Sequence, residues 1–572
     1  MSGNPSPSPP PDPEIDDDTK TVIGIAFGNT TSSIAYTTPD GKAEVIANEE
    51  GDRQIPTVLS WVGSEEYHGT QAKSHLVRNS KNTVAYFRDF LGKKYSEIDP
   101  TNSHNSAHPV DIDGVPSFNL QQGDDETVST VSINEITTRH LIRLKDSASD
   151  FLGRRVTGAV ITVPTDFSDT QKEALVAAAK AGELEVLQII HEPVAAVLAY
   201  AARQTPEEQG VDKNILVADL GGTRCDAAVV ASRGGMYTIL ATAHDYGLGG
   251  LKLDEVLVDH FSKEFIKKHK VDPRSERSLA KLRLEAEGTK RTLSLGTSAT
   301  ISIESLADGY DFHSTVNRLR YELSAKKVFD QIVSLVENVV KKAELDLLDI
   351  GEVILSGGTS HTPKIASRIA ALFPESVTVN APATLATALN PSELSARGAA
   401  IQASLIVEFD QEDIEQSTHP AVTVAPHLSH PIGVVIGEDN SFHTILEAQT
   451  AVPARRIAQF DVQADGDVIV RICEGIREIV VEKVERQVNG EKDEDDSEDE
   501  EDEEDEEEEE ERNRVLKVHK VIAEAAIRGA KKGGKVEVTI NVSSDLGLNV
   551  AARVVGTQIG VRGEVSPEAG SA

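Results

Sequence analysis

The sequence predicts an α/β region over residues 21–407 followed by a small antiparallel β domain over 420–555. Three observations predict it. A strand, a glycine-rich turn and a second strand occur as a unit in 214–230, NILVADLGGTRCDAAVV, and again in 22–36, VIGIAFGNTTSSIAY. Between and after these units, short apolar strands alternate with longer helical stretches, the pattern of an α/β fold. Beyond residue 420 the apolar period switches to two, the mark of strands with one face buried.

The 214–230 unit organises the rest. Its apolar run, 215–218, delivers one carboxylate, Asp219, to the end of a strand, and Leu220, Gly221, Gly222 and Thr223 reverse the chain into a return strand. Glycines in such a turn let backbone N–H groups approach phosphate oxygens, and a strand-end carboxylate suits a hydrated magnesium ion. In the earlier unit, setting Gly28 against Gly221, 193 positions on, places Ala26 opposite Asp219. The first copy has lost its acid.

In chain order, the Pro/Ser-rich, acidic residues 1–20 read as a disordered arm. Ser168 and Gln171 form a capping box ahead of a run of strong helix formers, and Gly182 suits the exit. In 184–200, LEVLQIIHEPVAAVLAY, a strand joins an Ala-rich helix through Glu192 and Pro193, with the proline in the first turn. A strand and glycine turn recur in 352–364, EVILSGGTSHTPK, and a helix over 392–406 closes the region. The polar stretch 408–419 reads as a linker. Val536, Val538, Ile540 and Val542 then alternate cleanly, with Glu537, Thr539 and Asn541 facing solvent, and 556–572 reads as a tail.

At 572 residues the chain is long enough for several cores, and its 39% hydrophobic content can fill them. The net charge of −37 is uneven: residues 491–511 hold 19 acids and one lysine, and read as a solvated loop insertion in the β domain. This balance argues against direct binding to nucleic acid. Two cysteines, Cys225 and Cys473, argue against a disulfide framework and for a reducing compartment. No run reaches membrane-spanning length and the N-terminus is unlike a signal peptide, so a cytoplasmic location is expected and no membrane partner. His419, His427 and His430 have the residue type of metal ligands but lack a fourth donor, and no metal site is assigned to them.

Six segments in order, GIAFGNTTSS, HEPVAAVLAY, VADLGGTRCDAAVV, EAEGTKRTLS, ILSGGTSHTPKI and NPSELSARGAA, resemble the signature segments of the 70-kilodalton heat-shock chaperone (DnaK-like) family. The resemblance implies an actin-like, two-lobed ATPase fold with ATP in the cleft and a β-sandwich of the peptide-binding type behind it. Carried over, it places Glu287, Lys290, Arg291 and Ser294 against base and ribose, and Gly357 and Gly358 along the adenosine and α-phosphate. Gly28, Asn29 and Thr30 form the first phosphate loop; Gly221, Gly222 and Thr223 the second, near Gly249 and Gly250. Asp219 and Glu192 stand where the family holds Mg2+ through water.

On the γ-phosphate side the chain departs from the family. Ala26 replaces an aspartate near the metal and the attacking water, Arg88 a catalytic lysine, Arg224 a threonine, Thr223 a glycine and Ser392 a further aspartate. Losing one preorganised electrostatic group costs about 2.7–4 kcal/mol in the transition state, roughly a hundred- to a thousandfold in rate. No catalytic residue is assigned, and ATP is expected to be bound but not productively hydrolysed; an in-cis arginine finger at Arg224 is the opposing possibility. The family's long helical lid is expected to be missing, since few residues follow LGLNVAARVV. Together these departures resemble an atypical fungal branch, a ribosome-associated subunit stably paired with the J-protein zuotin. That resemblance implies a co-chaperone, carried to the ribosome by zuotin, which stimulates a second heat-shock chaperone on nascent polypeptides. The other readings are a nucleotide-exchange-factor relative, an active peptide-binding ATPase and, from another class, a sugar or glycerol kinase.

Overall fold

The computed structural model describes residues 20–101, 105–121, 128–407, 409, 426–436, 441–483, 510–557 and 559–566. All of the arm except Lys20, nearly all of the 408–419 linker and the insertion up to residue 509 lie outside these residues.

Two sheets of one topology build the α/β region. In the first, strands run in the order Glu185–His191, Gly158–Val163, Val22–Phe27, Thr31–Thr37, Ala43–Ile46. In the second the order is Thr378–Asn380, Ile350–Ser356, Lys213–Leu220, Cys225–Arg233, Met236–Asp245. Each sheet has three chain-consecutive antiparallel strands and two parallel strands added beside the first, and the first sheet gains a sixth, short strand, Ile55–Pro56, paired with Thr31–Thr37. The repeat read from two short segments therefore extends to whole lobes. Each lobe has its own apolar core: Ile23, Ile25, Phe27 and Ile161 in the first, and Leu216, Val229, Phe261 and Val353 in the second.

The two helices that follow the fifth strands cross between the lobes. Helix Glu192–Ala201, with Pro193 in its first turn, packs Ala196, Val197 and Tyr200 on Ile215, Val217 and Ile354 of the second sheet. Helix Leu394–Ile406 packs Ala396, Ala399 and Ala400 on the first sheet. Small residues make this crossing possible. A Cβ at Gly398 would lie 1.9 Å from the Ala195 carbonyl oxygen, and one at Gly24 would lie 2.1 Å from the Ala400 nitrogen. The helix expected over 392–406 begins at Leu394, because Asn390 caps a short turn, Pro391–Glu393, that holds Ser392. The Ser168 capping box and the Gly182 exit flank helix Asp169–Ala181 as expected.

The C-terminal part stacks two four-stranded antiparallel sheets. One runs Phe442–Leu446, Ile432–Ile436, Gly466–Lys483, Glu510–Ala530; the other runs Ala454–Asp461, Lys535–Val542, Leu548–Val554, Gly560–Val565. Val434, Val470 and Ile527 of the first meet Val536, Val538 and Ile540 of the second in one core. Two expectations are corrected here. Glu510 and Glu511, assigned to the acidic loop, pair with Lys483 and Glu482 in a long two-stranded ribbon. Gly560–Val565, assigned to the tail, pairs with Leu548–Val554, so that strand is not the last. Its sequence, GVRGEV, is mostly exposed and shows no apolar alternation; backbone pairing with an open sheet edge makes it a strand. His427 makes an isolated bridge to Ala451 and His430 stacks near His519, and neither joins a metal-type cluster among the described residues.

This β-sandwich rests on the base of the second lobe. The buried Arg233 donates to the Ala448 carbonyl at 3.1 Å, and Arg456 lies 3.5 Å from Asp212.

Candidate functional site

A cavity of about 480 Å³ opens between the lobes. Its floor comes from the two hairpin turns, which the shared topology brings face to face. Asn29 Nδ2 donates to Thr223 Oγ1 at 3.0 Å across the gap, while Asn29 Oδ1 is buried without a partner. A Cβ at Gly222 would lie 2.5 Å from the Thr30 methyl, so glycine is what allows the turns this approach.

The cavity is lined by Gly28, Asn29 and Thr30, by Gly221, Gly222 and Thr223, by Gly250, and by Gly357 and Gly358. Glu287, Lys290, Arg291 and Ser294 line it from one helix, Glu276–Leu295, where a spacing of three or four puts side chains on one face. Asp219, Glu192, Ala26, Arg88, Arg224 and Ser392 complete the set. Of the residues the sequence picks out, Gly249 alone does not line it. A Cβ there would lie 2.6 Å from the Gly222 carbonyl, and the next two amides, of Gly250 and Leu251, donate to Gly221 and Gly222 at 2.9 Å. Gly249 therefore seats the second loop on helix Gly250–His269.

On the side away from Ala26, charges are paired. Glu287 accepts from Lys73 of the first lobe at 2.5 Å and from Arg291 at 2.6 Å. Burial pushes its carboxyl pKa up, but those two cations outweigh burial and hold it below the usual range. Lys290 reaches Asp254 at 2.8 Å and the Gly250 carbonyl at 3.0 Å. Lys73, Asp254, Tyr86 and Gln54 also line the cavity, and no motif singles them out. Each comes from a separate element. The buried Gln54 Nε2 has no partner, and with Asn29 Oδ1 it leaves one donor and one acceptor for a polar ligand.

The opposite end is different. Ala26 presents a methyl group. Arg88, 4% exposed, donates to Asp89, to the Phe27 carbonyl at 3.3 Å and to Glu192 at 3.3 Å. Arg224 is held by Asp226 at 2.5 and 2.7 Å and by Asp166 at 2.8 Å, and its guanidinium lies over the Tyr246 ring. Burial raises the Glu192 carboxyl to about 8 and the Asp219 carboxyl to about 6, with further upward pressure from Asp226. Carboxylates that burial pushes up in spite of Arg88 and Arg224 fit a hydrated divalent cation, which would restore their ionised forms. Asp219 and Glu192 are the residues that would hold it; Ala26 offers no ligand atom.

A two-lobed α/β domain with glycine turns meeting at its cleft, followed by a β-sandwich, defines the class. Residues 22–485 match the Hsp70 protein family, and the chain belongs to that family. Among its relatives, the chain is 45% identical over 548 residues to the ribosome-associated complex subunit SSZ1 of Saccharomyces cerevisiae, covering 95% of this chain and 99% of that protein. It is 43% identical over 543 residues to a heat shock protein 70 homolog of Schizosaccharomyces pombe, covering 94% of each. Identity to the heat shock 70 kDa protein 14-B of Xenopus laevis is 33% over 450 residues, 78% of this chain and 85% of that one.

Proposed function

We propose that this chain is a ribosome-associated, Hsp70-type chaperone subunit of the cytosol that holds ATP in its cleft without productive hydrolysis. In this reading it pairs with the J-protein zuotin, which carries it to the ribosome, and the pair stimulates a second heat-shock chaperone acting on nascent chains. Similarity over nearly the whole length to a protein named as a ribosome-associated complex subunit supports the assembly.

The observation that carries the nucleotide reading is the asymmetry of the cleft. The adenosine end keeps the helix-borne set Glu287, Lys290, Arg291 and Ser294 and the glycine backbone at Gly357 and Gly358. At the γ-phosphate end an acid is a methyl, and both arginines already bond protein carboxylates. Magnesium, when bound at Asp219 and Glu192, would shield phosphate charge. No residue at position 26 then orients water, and Arg224, spread over Asp166 and Asp226, is not free to act as an arginine finger. A ligand that binds only the folded chain stabilises it by RT ln(1 + [L]/Kd), about 4 kcal/mol at a thousandfold excess, so holding ATP has a structural use without turnover.

Single-turnover chemistry tests the reading: protein in excess over radiolabelled ATP should retain the triphosphate through an hour of incubation. Conversion to diphosphate within minutes would refute it. Co-purification of zuotin with the tagged chain, and loss of ribosome co-sedimentation when zuotin is absent, test the assembly.

A further inference from the structure

Asp166 belongs to the first lobe, on the loop between strand Gly158–Val163 and helix Asp169–Ala181. Arg224 and Tyr246 belong to the second, one in the hairpin turn and one just after strand Met236–Asp245. These three side chains meet where the lobes adjoin. Arg224 Nη2 donates to Asp166 Oδ1 at 2.8 Å, and the Tyr246 hydroxyl donates to the other oxygen, Asp166 Oδ2. Arg224 is fixed from its own lobe as well, by both oxygens of Asp226, and stacks with its guanidinium carbon 4.5 Å from the Tyr246 ring centre.

Asp166, Asp226 and His244 bring ligand-type atoms within 4.8 Å of one another, yet the cation they surround is the protein's own guanidinium. The Arg224 side chain is 7% exposed, so the cation of the pair is enclosed, while Asp166 and Tyr246 are solvent-exposed residues. Burial raises the Asp166 pKa, but Arg224 and the Tyr246 hydroxyl outweigh it and hold the carboxyl at about 2, ionised throughout the physiological range. Opening the floor of the cleft would separate Arg224 from Asp166 and take from the enclosed guanidinium its partner in the other lobe.

We infer that Arg224, Asp166 and Tyr246 form an inter-lobe latch that keeps the cleft floor closed and slows nucleotide release. The inference rests on the nucleotide-holding reading and names how that site is controlled: retention is set by a contact between the lobes, beside the phosphate end. Asp166 and Tyr246 do not line the cavity, so changing them leaves the nucleotide's own contacts in place.

The test is release of a fluorescent ATP analogue, chased with excess unlabelled ATP, from the full chain and from Asp166→Asn, Tyr246→Phe, Arg224→Gln and the Asp166→Asn/Arg224→Gln pair. Release should quicken about tenfold in Asp166→Asn, the scale of one charge-assisted hydrogen bond, with association unchanged within about twofold. The double variant should release no faster than the faster single, because both remove one link. Tyr246→Phe, which removes only a hydroxyl, should quicken release less and serves if Asp166→Asn fails to fold. Release within about twofold of the parent in every folded variant overturns the latch. If the parent binds no ATP, the nucleotide reading fails instead. Hydrogen exchange on the nucleotide-free chain then decides the latch: faster exchange over 223–226 in Asp166→Asn supports it, and unchanged exchange overturns it.

Discussion

Ala26 and Asp219 occupy one structural position in two copies of the same hairpin. Ala26 pairs with Ser33 on its antiparallel side and Thr162 on its parallel side; Asp219 pairs with Asp226 and Ser356 in the same arrangement. The duplicated fold thus carries acids on one wall of the cleft, at 219 and 226, where the other wall carries a methyl and a hydroxyl. From that asymmetry and the packing around it, four outcomes follow.

Restoring the missing groups should restore chemistry. Ala26→Asp combined with Arg88→Lys, a small compact cation in place of a planar fork, should raise the single-turnover rate of ATP hydrolysis at least about tenfold. Each change alone should do less, because a new carboxylate at 26 would face an Arg88 already committed to Asp89 and Glu192. Rapid-quench measurement of phosphate release on all three variants checks this.

ATP should raise the unfolding temperature of the parent chain, and the rise should shrink sharply in Lys290→Met. Lys290 bonds Asp254, which is 4% exposed, and the Gly250 carbonyl beside the second phosphate loop. Removing it strips a cation from the cavity and strands a buried acid, so the unliganded variant should itself lose about 3–5 kcal/mol. Differential scanning calorimetry with and without ATP separates the two effects.

Gly398→Ala should destabilise the chain by about 1–3 kcal/mol or more, since the new methyl meets backbone at Ala195 that cannot swing aside. Gly114→Ala makes the contrast: its φ of +82° strains any side chain, but nothing lies within 4 Å, so the loss should stay near 1 kcal/mol. Chemical denaturation of both variants gives the comparison.

Stability should fall as pH drops below about 6.5. Burial lowers the His140 pKa to about 3; the ring is enclosed by Phe27 and Phe87, and Nε2 lies 3.0 Å from the Ser32 hydroxyl. A depressed folded-state value means the unfolded chain takes the proton first. The contribution is therefore whole above the unfolded value near 6.5 and is lost progressively as pH falls toward 3, on the order of a few kcal/mol. His140→Gln should flatten the slope of unfolding free energy against pH in that window, measured by denaturant titration at a series of pH values.

Much of the site is legible in the sequence. Glycine turns and strand-end acids are local, so Asp219, Gly221 and Gly222 stand out by spacing, and the capping box at Ser168 marks its helix from within four residues. The edge strand Gly560–Val565 is not legible there, because pairing with a neighbour rather than any apolar period makes it a strand. Lys73, Asp254 and Tyr86 are hidden for a related reason: each is unremarkable in its own segment and reaches the cavity only through the packing of another.

By itself the sequence determined the repeated strand–turn–strand unit, the switch to a β domain, the family, and the substitution of a methyl for an acid at position 26. All of these are written in residue identity and short-range period. Tertiary structure alone decided what the substituted residues do. Arg224 and Asp166 are 58 positions apart and belong to different lobes, and an arginine's partner is set by which carboxylate the fold brings to it, a distance that no local pattern encodes.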